Sequence, residues 1–361
     1  MFSYAQLAIR SLKDTPQLLP VRFVEKGTDG AGRREGWVSS AFNSLLIGFG
    51  ELGQEALGFL YEFGAFVGQD FRKSPFSCTV LDKRMDAIAP DFRKRFPGLT
   101  EAAGVRFLQC KTGTDSYREV LKRLLPGLNY IMVCLGDDDL NLSVASELAE
   151  CAAGLGVGGN FVILVARKGS PLPEVAGCIR AFGLQDEVMS PDNVSGAAAT
   201  ARARAFHAGY MLAQGSKEDP ADVWDARDER IASATDPAVR SKLLRQRYQD
   251  YSNAYNIPVK LALMGPEVSD HACEVAESIP ATYAGTHYTG SDPHVARVLR
   301  YLSLQEHLRW EASHAALGYA PGERTDETLK THACIRDYDD LSPEMQHYDY
   351  LVIKTTLALQ G

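Results

Sequence analysis

The chain has 361 residues, 45% of them hydrophobic and 23% charged, with a formal net charge of −8. That length supports two domains with cores of their own, and the acidic balance argues against a nucleic-acid partner, which would meet a basic face. Seven cysteines with no C-x-x-C pair suit a reducing cytoplasm. The first thirty residues contain charges and no apolar h-region, and the longest uncharged run, 151–166, falls short of the roughly 20 residues a membrane span needs. The expectation is a soluble, cytoplasmic protein.

Residues 1–42 begin with an amphipathic stretch, AQLAIRSLKDTPQLL. A strand-like PVRFVE follows, then a polar tract, KGTDGAGRREG, with the Gly and charge content of a mobile loop. From Ser44 strands and helices alternate. SLLIGFG reads as a strand, ELGQEALGFLYEF as a helix, FSCTVLD as a second strand ending in Asp82, and GVRFLQCKT as a third. DSYREVLKRLL is a helix with Asp115 as N-cap. LNYIMVCLG is a fourth strand, LNLSVASELAECAAGL a helix and NFVILVA a fifth strand. Continuous apolar runs between helices indicate a parallel sheet covered on both faces. This predicts an α/β fold, a Rossmann-like doubly wound sheet over 43–195. A helical connector, 196–265, begins with GAAATARARAFHAGYMLA and ends with IPVKLALMG, a short strand or a buried helix segment. The last part, 266–361, is mostly helical and centred on ARVLRYLSLQEHLRWEASHAALGY.

The stretch LLIGFGELGQEAL places Gly48, Phe49, Gly50, Glu51, Leu52 and Gly53 on a strand–turn–helix junction. In a G-x-G-x-x-G turn the first glycine permits the tight bend, the second lets a phosphate approach the backbone, and the third brings helix close to strand. The helix N-terminus then offers free N–H groups to the phosphates. Asp82, ending the next strand, is the candidate for the ribose hydroxyls. It lies 29 positions after Gly53, against a usual spacing of about 20, and GAFVGQDFRKSP accounts for the excess as an insertion. Lys83 and Arg84 are either solvated charges or tolerate a ribose 2′-phosphate. At the end of the fourth strand Gly136, Asp137, Asp138, Asp139 and Asn141 are placed equally well to start a helix or to touch a ligand at the crevice.

Together LLIGFGELGQEAL, TVLD and IMVCLGDDDLNLSVASELA resemble the TrkA-N or RCK nucleotide-binding domain of potassium-transport regulators, over residues 43–195. The resemblance implies NAD(H), NADP(H) or another adenine nucleotide at the glycine turn, contacts from Gly48, Gly50, Gly53, Asp82, Asp137 and Asp138, pairing into a homodimer, a membrane transport partner and a regulatory role without hydride transfer. A second segment, LSLQEHLRWEASHAALGYAPGERTDETLKTHACIRDYDDLSPEMQHYD, resembles the RyR domain, the small helical repeat of ryanodine receptors, over 295–355. Its matching features are Glu306, His307, Arg309 and Trp310, then Gly318-Tyr319, Lys330 and His332, and Tyr338, Leu341 and Glu344.

Arg309, Lys330 and His332 either form an anion-binding cluster, with Trp310 or Tyr338 as a stacking face, or hold the loop 319–333 by caps and salt bridges. Trp310 itself reads as a core anchor or a stacking platform. His307 and His314 are seven residues apart, about 10 Å along a helix, too far to share a zinc ion bound at about 2 Å. No metal signature, G-x-S-x-G or P-loop lysine stands in the chain, and the segment after the fifth strand, ARKGSPLPEVAGCIRAFGLQDEVMSPDN, offers no His or Tyr-x-x-x-Lys pattern, so no catalytic residue is assigned. The sequence points to a nucleotide-binding sensor. The alternatives are an NAD(P)-dependent oxidoreductase and the soluble gating portion of a membrane channel.

Overall fold

Ser3 starts the first helix, α1 (Tyr4–Lys13): its hydroxyl accepts from the Gln6 N–H, and the Gln6 side chain accepts from the Ser3 N–H in return. The computed structural model describes residues 3–99, 103–157, 161–169, 172 and 177–360. PVRFVE is not a strand. Pro20 sits at the start of a 3-10 turn, Pro20–Phe23, where its fixed φ suits a helical first position. The KGTDGAGRREG tract is also more ordered than a mobile loop. It forms an antiparallel hairpin, β1 (Lys26–Thr28) and β2 (Arg34–Val38). One Asp29 carboxylate oxygen accepts from the N–H groups of Ala31 and Arg33, each at 2.9 Å, a turn that Asp favours.

The sheet elements follow in chain order: β3 (Phe42–Ile47), α2 (Glu51–Phe63), β4 (Phe76–Asp82), α3 (Met85–Arg95), β5 (Val105–Gln109), α4 (Asp115–Leu124), β6 (Tyr130–Val133), α5 (Asp138–Gly154), β7 (Val162–Ala166) and β8 (Ile179–Phe182). The N-cap of α4 is Thr114, whose hydroxyl accepts from Tyr117 N–H, so Asp115 takes the first helical position instead. Strand β8 follows the last strand named from the sequence, and its IRAF is only four residues long. All six strands are parallel, in the order β5-β4-β3-β6-β7-β8. This is the doubly wound, Rossmann-like arrangement, with its reversal between β3 and β6. One face of the sheet, with Leu45, Ile47, Ile131 and Val165, packs on Tyr117 and Leu121 of α4 and on Val144 and Leu148 of α5. Alternation sends Leu46, Val80, Met132 and Leu164, all fully buried, to the other face.

Two short helices, α6 (Gln185–Val188) and α7 (Pro191–Ser195), complete this first unit, which comprises Met1–Glu25, Ser40–Gly64 and Ser74–Gly196. The second unit comprises Lys26–Ser39, Ala65–Lys73 and Ala197–Gly361. Its helices are α8 (Ala197–Ala213), α9 (Pro220–Ser233), α10 (Pro237–Met264), α11 (Pro266–Ser269), α12 (Ala272–Glu277), α13 (Pro293–Ala316) and α14 (Pro343–Ala358); a two-residue strand pair, β9 (Ala320–Pro321) and β10 (Thr331–His332), lies between the last two. IPVKLALMG is therefore helical, the end of α10, and Gly265 at φ +77 stops it. Trp37 of the hairpin and Val67 pack with Tyr301 and Leu304 of α13, and Phe206, Ala254 and Val352 join α8, α10 and α14. Among the described residues no helix is long and apolar enough to cross a membrane.

Candidate functional site: the glycine turn and a helical-unit cavity

The glycine turn closes β3 against α2 at the strand-order reversal. Gly48 has φ +93, and a Cβ there would stand 2.4 Å from the Cys134 carbonyl oxygen, so only glycine fits. A Cβ on Gly53 would stand 2.1 Å from the Gly48 carbonyl oxygen, which sets the close approach of helix to turn. Gly50 differs: nothing lies within 4 Å of its Cβ position, and it begins α2 with no side-chain cap. The backbone there is open to a ligand. Phe49 sends its ring into the core, against Phe92 and Phe107. Leu52 packs on Leu7 and Ala8 of α1, and Glu51 is exposed on the first turn.

Asp82 sits beside this turn. Its Oδ2 accepts from Phe49 N–H at 2.8 Å and its Oδ1 from Arg84 N–H at 2.7 Å. Each carboxylate oxygen carries a second lone pair, so the clamp on the turn and a ribose hydroxyl are compatible. Lys83 and Arg84 are exposed. Gly136 takes φ +84 before α5. Asp137 caps α5, accepting from Leu140 N–H at 2.8 Å. Asp138 accepts from the N–H groups of Lys168 and Gly169 and so holds the loop after β7. Asn141, 1% exposed, accepts from Leu135 N–H and donates to the Ala166 carbonyl. The G-D-D-x-x-N stretch thus ties the ends of β6 and β7 together. Its polar groups have structural work independent of any ligand.

The sequence did not single out Tyr4. Its hydroxyl donates to the Gly183 carbonyl, and the Lys168 ammonium lies 4.7 Å from its ring centre. Burial, followed by the nearby Asp138 charge, pushes the Tyr4 phenol up to about 12. α1 therefore lies along the carboxyl edge of the sheet at β7 and β8; the amphipathic opening stretch was the available signal.

The second set of predicted residues separates into three environments. Trp310 and His332 line a cavity of about 250 Å³ in the helical unit. Arg309 is fully buried and saturated: it donates to both Glu306 carboxylate oxygens at 2.8 and 2.6 Å, to Asn253 Oδ1 at 2.7 Å and to the Ser252 hydroxyl. Lys260 adds a further ion pair to Glu306 at 2.8 Å. Burial alone would raise the Glu306 carboxyl, but Arg309 and Lys260 hold it at about 2. Such a guanidinium is not available to an anion. Lys330 donates to the Leu317 carbonyl at 2.7 Å, a capping role, and Tyr338 makes a hydrogen bond with Ser303. Trp310 is flanked by His314, with ring centres 3.9 Å apart, and by His332 at 4.9 Å. Burial holds both histidines neutral, His314 at about 3 and His332 at about 4.

Among the described residues Asp29, Glu35 and His294 form a group with ligand atoms within 4.8 Å of one another. Its carboxylates are already committed: Asp29 to Arg33 at 2.8 Å, and Glu35 to Arg297 at 2.9 Å and Trp37 Nε1 at 3.2 Å. A metal ion would have to displace two guanidinium groups, and the group is not assigned one. No protein-family model, no curated protein and no solved structure matches the chain.

Proposed function

We propose that this protein is a nucleotide-binding regulator, with NAD(H), NADP(H) or another adenine nucleotide lying across the glycine turn. The observation that carries the reading is Gly50, open above its Cα at the uncapped start of α2 and placed at the reversal of a parallel sheet. That is where α/β sheets of this type take their ligands. Asp82 is one hydrogen bond from the turn and supplies the ribose contact. The segment's resemblance to TrkA-N domains supports the same reading, and the proposed homodimer and membrane transport partner rest on that resemblance. A sensor also requires the ligand to bind two conformations unequally.

The test is calorimetric titration of the full chain with these nucleotides, alongside mass determination under native conditions. One nucleotide per chain is expected. Gly50→Glu, which adds a carboxylate where phosphate would lie, should weaken binding at least ten-fold without changing the melting temperature. Nucleotides that fail to bind, or that bind the variant equally well, overturn the assignment. Regulation, as distinct from binding, predicts altered hydrogen exchange in the helical unit on nucleotide addition.

A further inference from the structure

The cavity in the helical unit has walls of unusual chemistry. Tyr210 of α8, Trp310 of α13 and Tyr348 of α14 supply rings, while Asp250, Glu306 and Asp349 supply carboxylates. Two of the three acids are neutralised from behind. Asp250 is paired with Arg227 at 2.6 Å, and Glu306 with Arg309 and Lys260. Asp349 is not. It is 9% exposed, it accepts no hydrogen bond from any described residue, and its ion pair, with His307 Nδ1, is stretched to 3.9 Å. His307 in turn is drawn elsewhere, with Nε2 at 2.9 Å from the Arg336 carbonyl and 3.4 Å from Glu311. A buried carboxylate without donors is costly, so burial keeps the Asp349 carboxyl protonated up to about pH 8; it faces a cavity where a cationic ligand can supply donors and take the place of that proton.

We propose that this cavity binds a small organic cation, its ammonium or amidinium group against Asp349 and its body against Trp310, Tyr210 and Tyr348. Aromatic rings beside a desolvated cation add to the attraction of the carboxylate. A phosphate or carboxylate ligand is disfavoured, because it would meet the oxygens of three acidic side chains, two of them with their cations on the far side. With liquid water occupying about 30 Å³ per molecule, the space suits a ligand of roughly eight to ten non-hydrogen atoms. The site is independent of the nucleotide reading, and each stands if the other falls.

The experiment is a fragment titration on the full chain, followed by calorimetry and ligand-observed NMR. The probes are 2-phenylethylamine, benzamidine, agmatine and choline, each run beside a neutral isostere and a carboxylate of similar size, such as 2-phenylethanol and phenylacetate. At least one cation should bind ten-fold or more tightly than its neutral and anionic counterparts. Asp349→Asn keeps the side-chain shape and should reduce that affinity at least ten-fold. Tyr348→Ala, at the exposed rim, should weaken it several-fold with an unchanged circular-dichroism spectrum and melting temperature. The proposal is overturned if none of the cations binds, if isosteres or carboxylates bind as well, or if Asp349→Asn binds the cation unchanged.

Discussion

Arg309 shows how far a single residue can be read in advance. Its partner Glu306 lies three positions earlier on the same helix, a spacing that places the two side chains side by side. The spacing carries that pair, although the roles the sequence suggests for Arg309 are an anion-binding cluster or a hold on the loop 319–333, and its partners Glu306, Ser252 and Asn253 leave it neither. Lys260, Ser252 and Asn253, which complete the cluster from α10, were not legible, because they approach from 49 to 57 positions away and no local period links them to α13. The predicted consequence is that Arg309→Met destabilises the protein by about 3–5 kcal/mol, since it leaves Glu306 buried with half its compensation. Chemical denaturation would check this, and a loss below about 1 kcal/mol would contradict the buried network. Asn141 teaches a complementary lesson. Its place in the sequence announced the crevice, but only the positions of Leu135 and Ala166 show that it fastens strand ends.

At the scale of elements, the glycine turn was the most legible part of the molecule. Gly48 and Gly53 have separate steric roles in the structure and Gly50 has none, and that difference predicts separate outcomes. Gly53→Ala should destabilise the first unit by about 1–3 kcal/mol, as overpacking does, because its Cβ would collide with the Gly48 carbonyl oxygen at 2.1 Å. Gly50→Ala, with no atom within 4 Å of the new Cβ, should leave the melting temperature within a degree or two. Equal effects at the two positions would refute the steric account. Strand β8 was missed because its four residues, IRAF, are too short to show a period. The β1–β2 hairpin was missed because its Gly-rich turn resembles a loop in composition. What orders it is a pair of hydrogen bonds to Asp29 and the burial of Trp37 against α13.

On the scale of the whole molecule, the buried ionisable groups of the helical unit predict a stability optimum near pH 6.5. Burial lowers His314 to about 3 and His332 to about 4. The unfolded chain therefore binds more protons than the native one at these sites, and stability falls as pH drops below the ordinary histidine value. Glu306, held at about 2, adds to that loss in strong acid. Above pH 6.5 the sign reverses. Burial would lower His307, but the Glu311 hydrogen bond and the charges of Asp349 and Glu311 keep it at about 9. Burial raises Asp349 to about 8, despite the opposing His307 charge. At both sites the native state is then the one holding more protons, so stability declines toward pH 8–9, on the order of 1 kcal/mol per pH unit. Melting temperatures across pH 4–9 should trace a dome, and Asp349→Asn should flatten its alkaline side. A monotonic rise to pH 9 would exclude this assignment. None of it could be read from the sequence, because it depends on which histidines face carboxylates and which face rings.

The helical unit is assembled from three separated lengths of chain, and this has a consequence for how the protein is made. Glu35 meets Arg297 across 262 residues, and Ala65 meets Gln305 across 240. During synthesis the hairpin leaves the ribosome long before α13 exists, so Trp37 and Val67 have no partner for most of the time the chain is being built. Contacts of such high sequence separation slow folding and leave apolar surface exposed meanwhile. A fragment starting at Ala197 would lack the same two pieces, leaving Tyr301 and Leu304 of α13 uncovered where Trp37 and Val67 now pack. The smallest piece of this chain that can complete that unit therefore includes the sheet-forming sequence threaded between its parts.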